Sequence, residues 1–223
     1  MDAEGRSQYT AVLFDLDGTL LDTIEDLTAS MNAALGELGS PARTAEECKL
    51  FVGDGVTSFA RRALAEGRRD EATIARCVQR MRRHYAANWR TNTRPYEGIA
   101  ELLSVLRGRG LAMSVLSNKP DDSTQLMVAH FFGGGTFEVV RGATEGAPNK
   151  PDPTAALEIA KRMGVAPAGS VYLGDTGTDM RTANAAGMFA VGATWGFRSR
   201  RELEQGGAKA IIDKPADLLD LLR

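Results

Sequence analysis

The sequence predicts an α/β protein: a parallel sheet flanked by helices, with a helical module inserted after the first strand. Three observations predict it. Short apolar runs of strand length recur along the chain, the first ending in a carboxylate at Ala11 to Asp15 (AVLFD). Between them, apolar residues repeat at i, i+3, i+4 and i+7, which is one face of a helix. From Thr23 to about Arg94 the alternation stops and no convincing strand is found. Strands alternating with helices imply βαβ units and a parallel sheet. A chain of 223 residues suits one such domain with an insertion, or two small domains.

The elements follow in order. After the AVLFD strand, Thr23 and Asp26 resemble a capping box with Asp in place of Glu. Leu27, Met31, Ala34, Leu35 and Leu38 then form an apolar helix face, ended by Gly39-Ser40-Pro41. Ala45 to Phe51, Val56 to Ala65 and Glu71 to Trp89 read as further helices. The α/β pattern resumes near Pro95-Tyr96-Glu97-Gly98, where Ile99, Leu102, Leu103 and Leu106 share a helix face. Leu111 to Leu116, Ser170 to Leu173 and Phe189 to Val191 are strands on this reading, with Phe137 to Val140 and Lys209 to Ile212 as weaker candidates. Ala155, Ala156, Ile159, Ala160 and Met163 make another helix face, and Gly133-Gly134-Gly135 is a loop. The expected division is an α/β domain over 1–22 and 95–223 and a helical domain over 23–94. Two connections, near Asp22 and near Pro95, permit a hinged lid.

Composition narrows the function classes. The apolar fraction of 43% is enough to fill a sizeable core at this length. A net charge of −2 offers no bulk basic face, so nucleic acid is not expected as a partner. No apolar run is long enough to span a bilayer, and Met1 to Thr10 is polar, without the apolar stretch of a signal peptide. The two cysteines, Cys48 and Cys77, form no CxxC pair and read as free thiols in a reducing compartment. A cytoplasmic location with no membrane partner is expected. No G-x-x-x-x-G-K-[ST] or G-x-G-x-x-G stretch points to nucleotide-driven work.

Four polar clusters carry the chemistry. Asp15-Leu16-Asp17-Gly18-Thr19, Ser117-Asn118-Lys119 and Gly174-Asp175 through Asp179 follow directly on expected strands, and Lys150-Pro151 follows the weakest one at some distance. In open parallel sheets ligands bind beyond the carboxyl ends of the strands, so topology alone puts three of these on one rim. Clustered carboxylates repel one another unless a cation lies between them, and hard oxygen ligands suit magnesium. Ser117, Asn118 and Lys150 supply donors or positive charge for phosphate oxygens. A carboxylate beside magnesium and phosphate can attack phosphorus, and a second acid can protonate the leaving alkoxide. Taken singly, each cluster has a plainer reading. Asp15 and Asp17 could form an ordinary turn, Ser117-Asn118 a helix cap, Lys150 a solvated loop charge, and Asp179 a carboxylate supporting the first turn of a helix. Their joint occurrence in this order favours chemistry.

DLDGTLLDT, SNK, the lysine of NKPDP and GDTGTD resemble the four motifs of the haloacid dehalogenase-like superfamily of phosphatases. The helical insert, SNKP and VGATWGF at 191–197 are similar to its phosphoglycolate phosphatase group. The resemblance covers nearly the whole chain and implies a Rossmann-like core with an inserted helical cap domain. It implies Asp15 as nucleophile and Asp17 as general acid/base with its backbone carbonyl on Mg2+. It further implies Ser117 and Asn118 at the phosphate, Lys150 on phosphate and nucleophile, and Asp175 and Asp179 as direct and nearby metal ligands. The implied substrate is a small phosphorylated metabolite, with 2-phosphoglycolate leading.

Other readings share these motifs. Nucleotides, pyrophosphate or sugar phosphates could be the substrate. A phosphomutase similar to β-phosphoglucomutase would pass the phosphate to a sugar, and a non-catalytic binding module would do no chemistry. In the insert, Gly53-Asp54-Gly55 is either a plain turn or a loop dipping toward substrate. Arg61, Arg62, Arg82 and Arg83 read mostly as solvated helix faces, although they could reach a substrate carboxylate. Trp89 and Met31 read as core or domain-interface residues rather than substrate contacts, His84 and His130 receive no catalytic role, and the role of Trp195 is open. Assembly state leaves no signal in the sequence.

Overall fold

The computed structural model describes residues 9–223, so most of the Met1 to Thr10 reading lies outside the described residues. In chain order, β1 (Ala11–Phe14) and β2 (Leu21–Asp22) precede helices α1 (Ile24–Glu37), α2 (Ala45–Phe51), α3 (Val56–Ala63) and α4 (Glu71–Asn88). Then come β3 (Arg94–Pro95), α5 (Ile99–Gly108), β4 (Ala112–Pro120), α6 (Asp121–Phe132) and β5 (Val139–Ala143). The chain continues through α7 (Thr154–Arg162), β6 (Ser170–Gly174), α8 (Gly177–Ala185), β7 (Phe189–Ala193), α9 (Arg200–Gly206), β8 (Ala210–Ile212) and α10 (Leu218–Leu221). Two compact units result, one running through Leu20 and again over Pro95–Arg223, the other Leu21–Arg94.

The first unit is the α/β sheet domain. Its strands lie in the order β5-β4-β1-β6-β7-β8, and every pairing is parallel. The run AVLF is buried at every position because β1 has a strand on each side and layers on both faces. Register places the chemistry. Phe14 pairs with Val115 on β4 and with Leu173 on β6, so Asp15, Ser117 and Asp175 all emerge near one end of three adjacent strands. The chain crosses from β1 to β4 on one side and later to β6 on the other, which is where such sheets leave a crevice. Behind it, Leu13, Leu116, Ile159, Tyr172 and Met180 belong to one buried cluster.

Some strand limits differ from expectation. The fourth strand does not stop at Leu116 but runs on to Pro120, with a register irregularity between Leu116 and Pro120. The fifth strand begins at Val139 rather than Phe137. Phe137 instead packs edge-on against Phe14 and Phe132, with ring centroids 6.1 and 5.7 Å apart. Among the described residues, no helix is long and apolar enough to cross a membrane.

The second unit is helical. Met31, Leu35, Ile74 and Cys77 are buried where α1 packs along α4. The second helix opens with a full capping box, Glu47 N–H to Thr44 Oγ1 (3.2 Å) and Thr44 N–H to Glu47 Oε2 (2.8 Å). The box expected of Thr23 and Asp26 does not form, and Thr23 makes no cap bond. Asp26 instead accepts from the backbone N–H groups and side chains of Asn92 and Thr93, at 2.8–3.0 Å. Several donors outcompete the single one a capping box would offer. The third helix ends at Ala63, two residues short of expectation, because Leu64 turns extended. The segment from Thr23 to Arg94 is not wholly without strand, since β3 begins at Arg94 and pairs with β2 in a ladder too short to leave a hydrophobic period.

Candidate active site

The strand ends deliver the carboxylates in fixed orientations. Asp15 continues the β1 ladder, its N–H bonding Leu173 O at 2.9 Å, and its Oδ1 accepts from Leu16 N–H at 2.7 Å. The chain must then turn at once. Gly18 has φ +86°, and a Cβ there would lie 2.3 Å from Asp175 Oδ2, so both the backbone and the neighbouring carboxylate require glycine. At the end of β6, Thr176 caps α8 and forms a reciprocal box with Asp179, Asp179 N–H to Thr176 Oγ1 and Thr176 N–H to Asp179 Oδ2. Asp179 therefore does support a helix start, and its other oxygen is given to Lys150.

Lys150 is not a solvated loop charge. Its side chain is 2% exposed, and Nζ lies 2.9 Å from Asp15 Oδ1, 2.7 Å from Asp179 Oδ1 and 3.2 Å from Leu116 O. Asn118 holds it there, accepting from Lys150 N–H at 2.9 Å and donating to Lys150 O at 3.1 Å. Ser117 Oγ accepts from Lys119 N–H at 3.2 Å and is buried at the same strand end. Asp175 has both oxygens engaged, Oδ1 by Thr19 Oγ1–H (2.9 Å) and Oδ2 by Phe197 N–H (2.8 Å). Asp17 stands apart from this cluster and faces Lys119, whose Nζ is 3.0 Å from each of its carboxylate oxygens.

The fold now has a counterpart among known proteins. Residues 12–193 match the haloacid dehalogenase-like hydrolase family. The chain belongs to that family. It falls in the phosphoglycolate phosphatase-like group: it is 34% identical over 212 residues to the phosphoglycolate phosphatase of Pseudomonas putida, covering 93% of this chain and 78% of the relative. A relative of the same name from Xanthomonas campestris pv. campestris is 37% identical over 188 residues, 84% of each chain. A solved structure, described as a predicted phosphoglycolate phosphatase of Haemophilus somnus, superposes with a TM-score of 0.90 at 26% identity, covering 98% of this chain and all of that one.

In this hydrolase the three buried carboxylates Asp15, Asp175 and Asp179 each bring an oxygen within 4.8 Å of the others. Burial and the Asp179 charge push the Asp15 carboxyl well above the usual range, with the Lys150 ammonium only partly offsetting them. Burial and Asp179 push Asp175 up to about 7, against the hydrogen bonds from Phe197 and Thr19. Burial alone would discharge Lys150, but Asp15 and Asp179 hold it charged, well above the ordinary lysine value. Three buried carboxyl groups, two of them bonded to the one ammonium of Lys150, make an all-oxygen setting with more acid groups than cations. That donor set fits a hard divalent cation of the magnesium kind.

Three of the four arginines singled out in the helical unit, Arg61, Arg62 and Arg83, have partners of their own. Arg61 pairs with Glu71, and Arg83 with Glu37, which also accepts from Arg80 and bonds His84. Arg62 ties the Gly53-Asp54-Gly55 turn, bonding Asp54 Oδ2 and Phe51 O. Sequence reading gave no role to Lys119, Thr19 or Phe197. The hydroxyl in DGT was the one available signal for Thr19, whereas Phe197 acts through its backbone and carries none.

Proposed function

We propose that this hydrolase is a magnesium-dependent phosphatase acting on a small phosphate monoester through an aspartyl-phosphate on Asp15, with 2-phosphoglycolate as the leading substrate. The observation that carries the reading is the Asp15–Lys150–Asp179 ion cluster beside Asp175. It joins a nucleophilic carboxylate, a cation for phosphoryl oxygens and a seat for a metal in one buried site. The names of the related proteins support the choice of substrate.

Asp15, Asp175 and Asp179 would hold Mg2+, with the Asp17 backbone carbonyl, and the ion would neutralise charge on the phosphoryl oxygens. Leu16 N–H and Lys150 both hold Asp15 Oδ1, which leaves Oδ2 as the attacking oxygen. Oδ2 bonds to phosphorus as the ester P–O bond breaks, and Asp17 gives its proton to the departing oxygen. Asp17 then takes a proton from water, whose oxygen attacks the phosphorus of the aspartyl-phosphate. Phosphate leaves and both carboxyls return to their starting forms. Ser117 donates to the transferring group, and Asn118 acts there through the lysine it holds.

The test is phosphate release from a panel of esters with Mg2+, with Asp15→Asn as control. Preferential release from 2-phosphoglycolate, lost in the variant, is the expected result. Preference for a nucleotide, pyrophosphate or sugar phosphate overturns the substrate, and full activity of Asp15→Asn overturns the mechanism.

A further inference from the structure

The segment following β7 reaches Asp175 directly at Gly196 and Phe197 and through Thr19 at Trp195, and nothing in the proposed chemistry yet employs it. Trp195, half-buried, donates from Nε1–H to Thr19 O at 3.0 Å. Thr19 in turn donates from Oγ1–H to Asp175 Oδ1 at 2.9 Å, and Phe197 N–H donates to Asp175 Oδ2 at 2.8 Å. These bonds close a ring from Asp175 through Thr19, Trp195 and Phe197 back to Asp175. Gly196 lies inside the ring. A Cβ there would stand 2.3 Å from both Asp175 Cβ and Gly18 O, so the backbone presses directly on the carboxylate and on the turn after Asp15.

We infer that Trp195, Gly196 and Phe197 form a positioning strap that sets the orientation of Asp175 and thereby the affinity of the site for its divalent cation. The inference rests on the metal-dependent reading of the site. A carboxylate turns freely about its last bond unless both oxygens are held. Here each oxygen receives one bond and keeps lone-pair capacity for a cation. Asp175 is fully buried, so water does not readily replace a lost donor. Trp195 acts one step removed, by holding the carbonyl of the residue that holds Oδ1. Outer partners of this kind change metal affinity by about 10- to 100-fold.

The experiment is calorimetric titration of the whole protein with Mg2+ alone, for wild type, Trp195→Phe, Thr19→Val and Thr19→Ser. Trp195→Phe keeps an aromatic ring but loses the N–H together with the five-membered ring that carries it, so a Mg2+ affinity weaker by about 10-fold is expected. The melting temperature of its metal-free form should stay near wild type. Thr19→Val should weaken binding and Thr19→Ser, which keeps the hydroxyl, should restore it. Phosphate release by Trp195→Phe should recover at saturating Mg2+. Wild-type affinity in Trp195→Phe overturns the strap, as does a loss of turnover that excess Mg2+ does not repair. If wild type binds Mg2+ but hydrolyses no ester, the phosphatase reading fails while the strap stands. If wild type binds no divalent cation, the strap fails with the metal site.

Discussion

Lys119 Nζ lies 3.0 Å from both carboxylate oxygens of Asp17, and the two side chains are only 5% and 13% exposed. The proposed acid/base is thus gripped by an ammonium distinct from the one that serves Asp15. If Lys119 aims Asp17, its loss should resemble the loss of Asp17 itself. Lys119→Met should slow hydrolysis of an alkyl phosphate by about 10²-fold, the lower end of what general acid–base catalysis contributes. An aryl phosphate, whose leaving group needs little protonation, should suffer less. The two lesions should not add: Lys119→Met placed on Asp17→Asn should cost little more. Multiplicative losses in that cycle, read from steady-state rates, would assign Lys119 to something other than Asp17.

Lys150 makes a prediction about stability. Removing its ammonium leaves Asp15 and Asp179 facing each other in a buried site. Breaking a buried pair on one side costs about 3–5 kcal/mol, so Lys150→Met should unfold at clearly lower urea concentration. Adding Asp15→Asn removes one of the stranded charges and should recover part of the loss. An unchanged midpoint in Lys150→Met would mean that solvent reaches the cluster.

Asp26 offers a pH test within the helical unit. Burial opposes its charge, but the hydrogen bonds from Asn92 and Thr93 outweigh burial and lower its pKa below the ordinary 3.8. A carboxyl lowered on folding contributes stability above its unfolded value, and the contribution is lost as pH falls through the folded one. Asp26→Asn should therefore be less stable than wild type at neutral pH, since an amide presents donors to donors. The gap between their urea midpoints should narrow as pH falls below about 4. A gap that does not change with pH would place the effect in packing rather than charge.

Where sequence reading succeeded and failed has a physical pattern. Asp15, Asp175 and Asp179 were legible because strand ends in a parallel sheet share a rim, and register fixes which side chains emerge there. Lys119 stood in the SNK cluster without a role, because its partner Asp17 lies 102 positions away and only the fold brings the two together. Asn118 reads in sequence as a donor to phosphate; its amide also bonds the backbone of Lys150, thirty-two positions away, which local spacing does not announce. Local spacing made Asp26 a capping residue, and a segment sixty-six positions distant claimed it instead. Period and spacing report local geometry; these partners are set by tertiary contact.

Asp175 ties stability to the metal. Burial and then the neighbouring Asp179 charge push its carboxyl up to about 7, so carrying the charge opposes the metal-free fold near pH 8. An amide fits the same surroundings, because one end can still accept from Phe197 N–H while the other donates to the Thr19 hydroxyl. Metal-free Asp175→Asn should therefore melt no lower than metal-free wild type, and above it at pH 8. Adding Mg2+ reverses the order. A cation at 100 times its dissociation constant stabilises the folded form by about 2.7 kcal/mol, and wild type should gain this while the variant gains little. Thermal unfolding of both proteins with and without Mg2+ decides the matter. Equal shifts in the two would remove Asp175 from the ligand set, and a metal-free variant melting well below wild type would mean that the charge is a structural requirement rather than a cost borne for the ion.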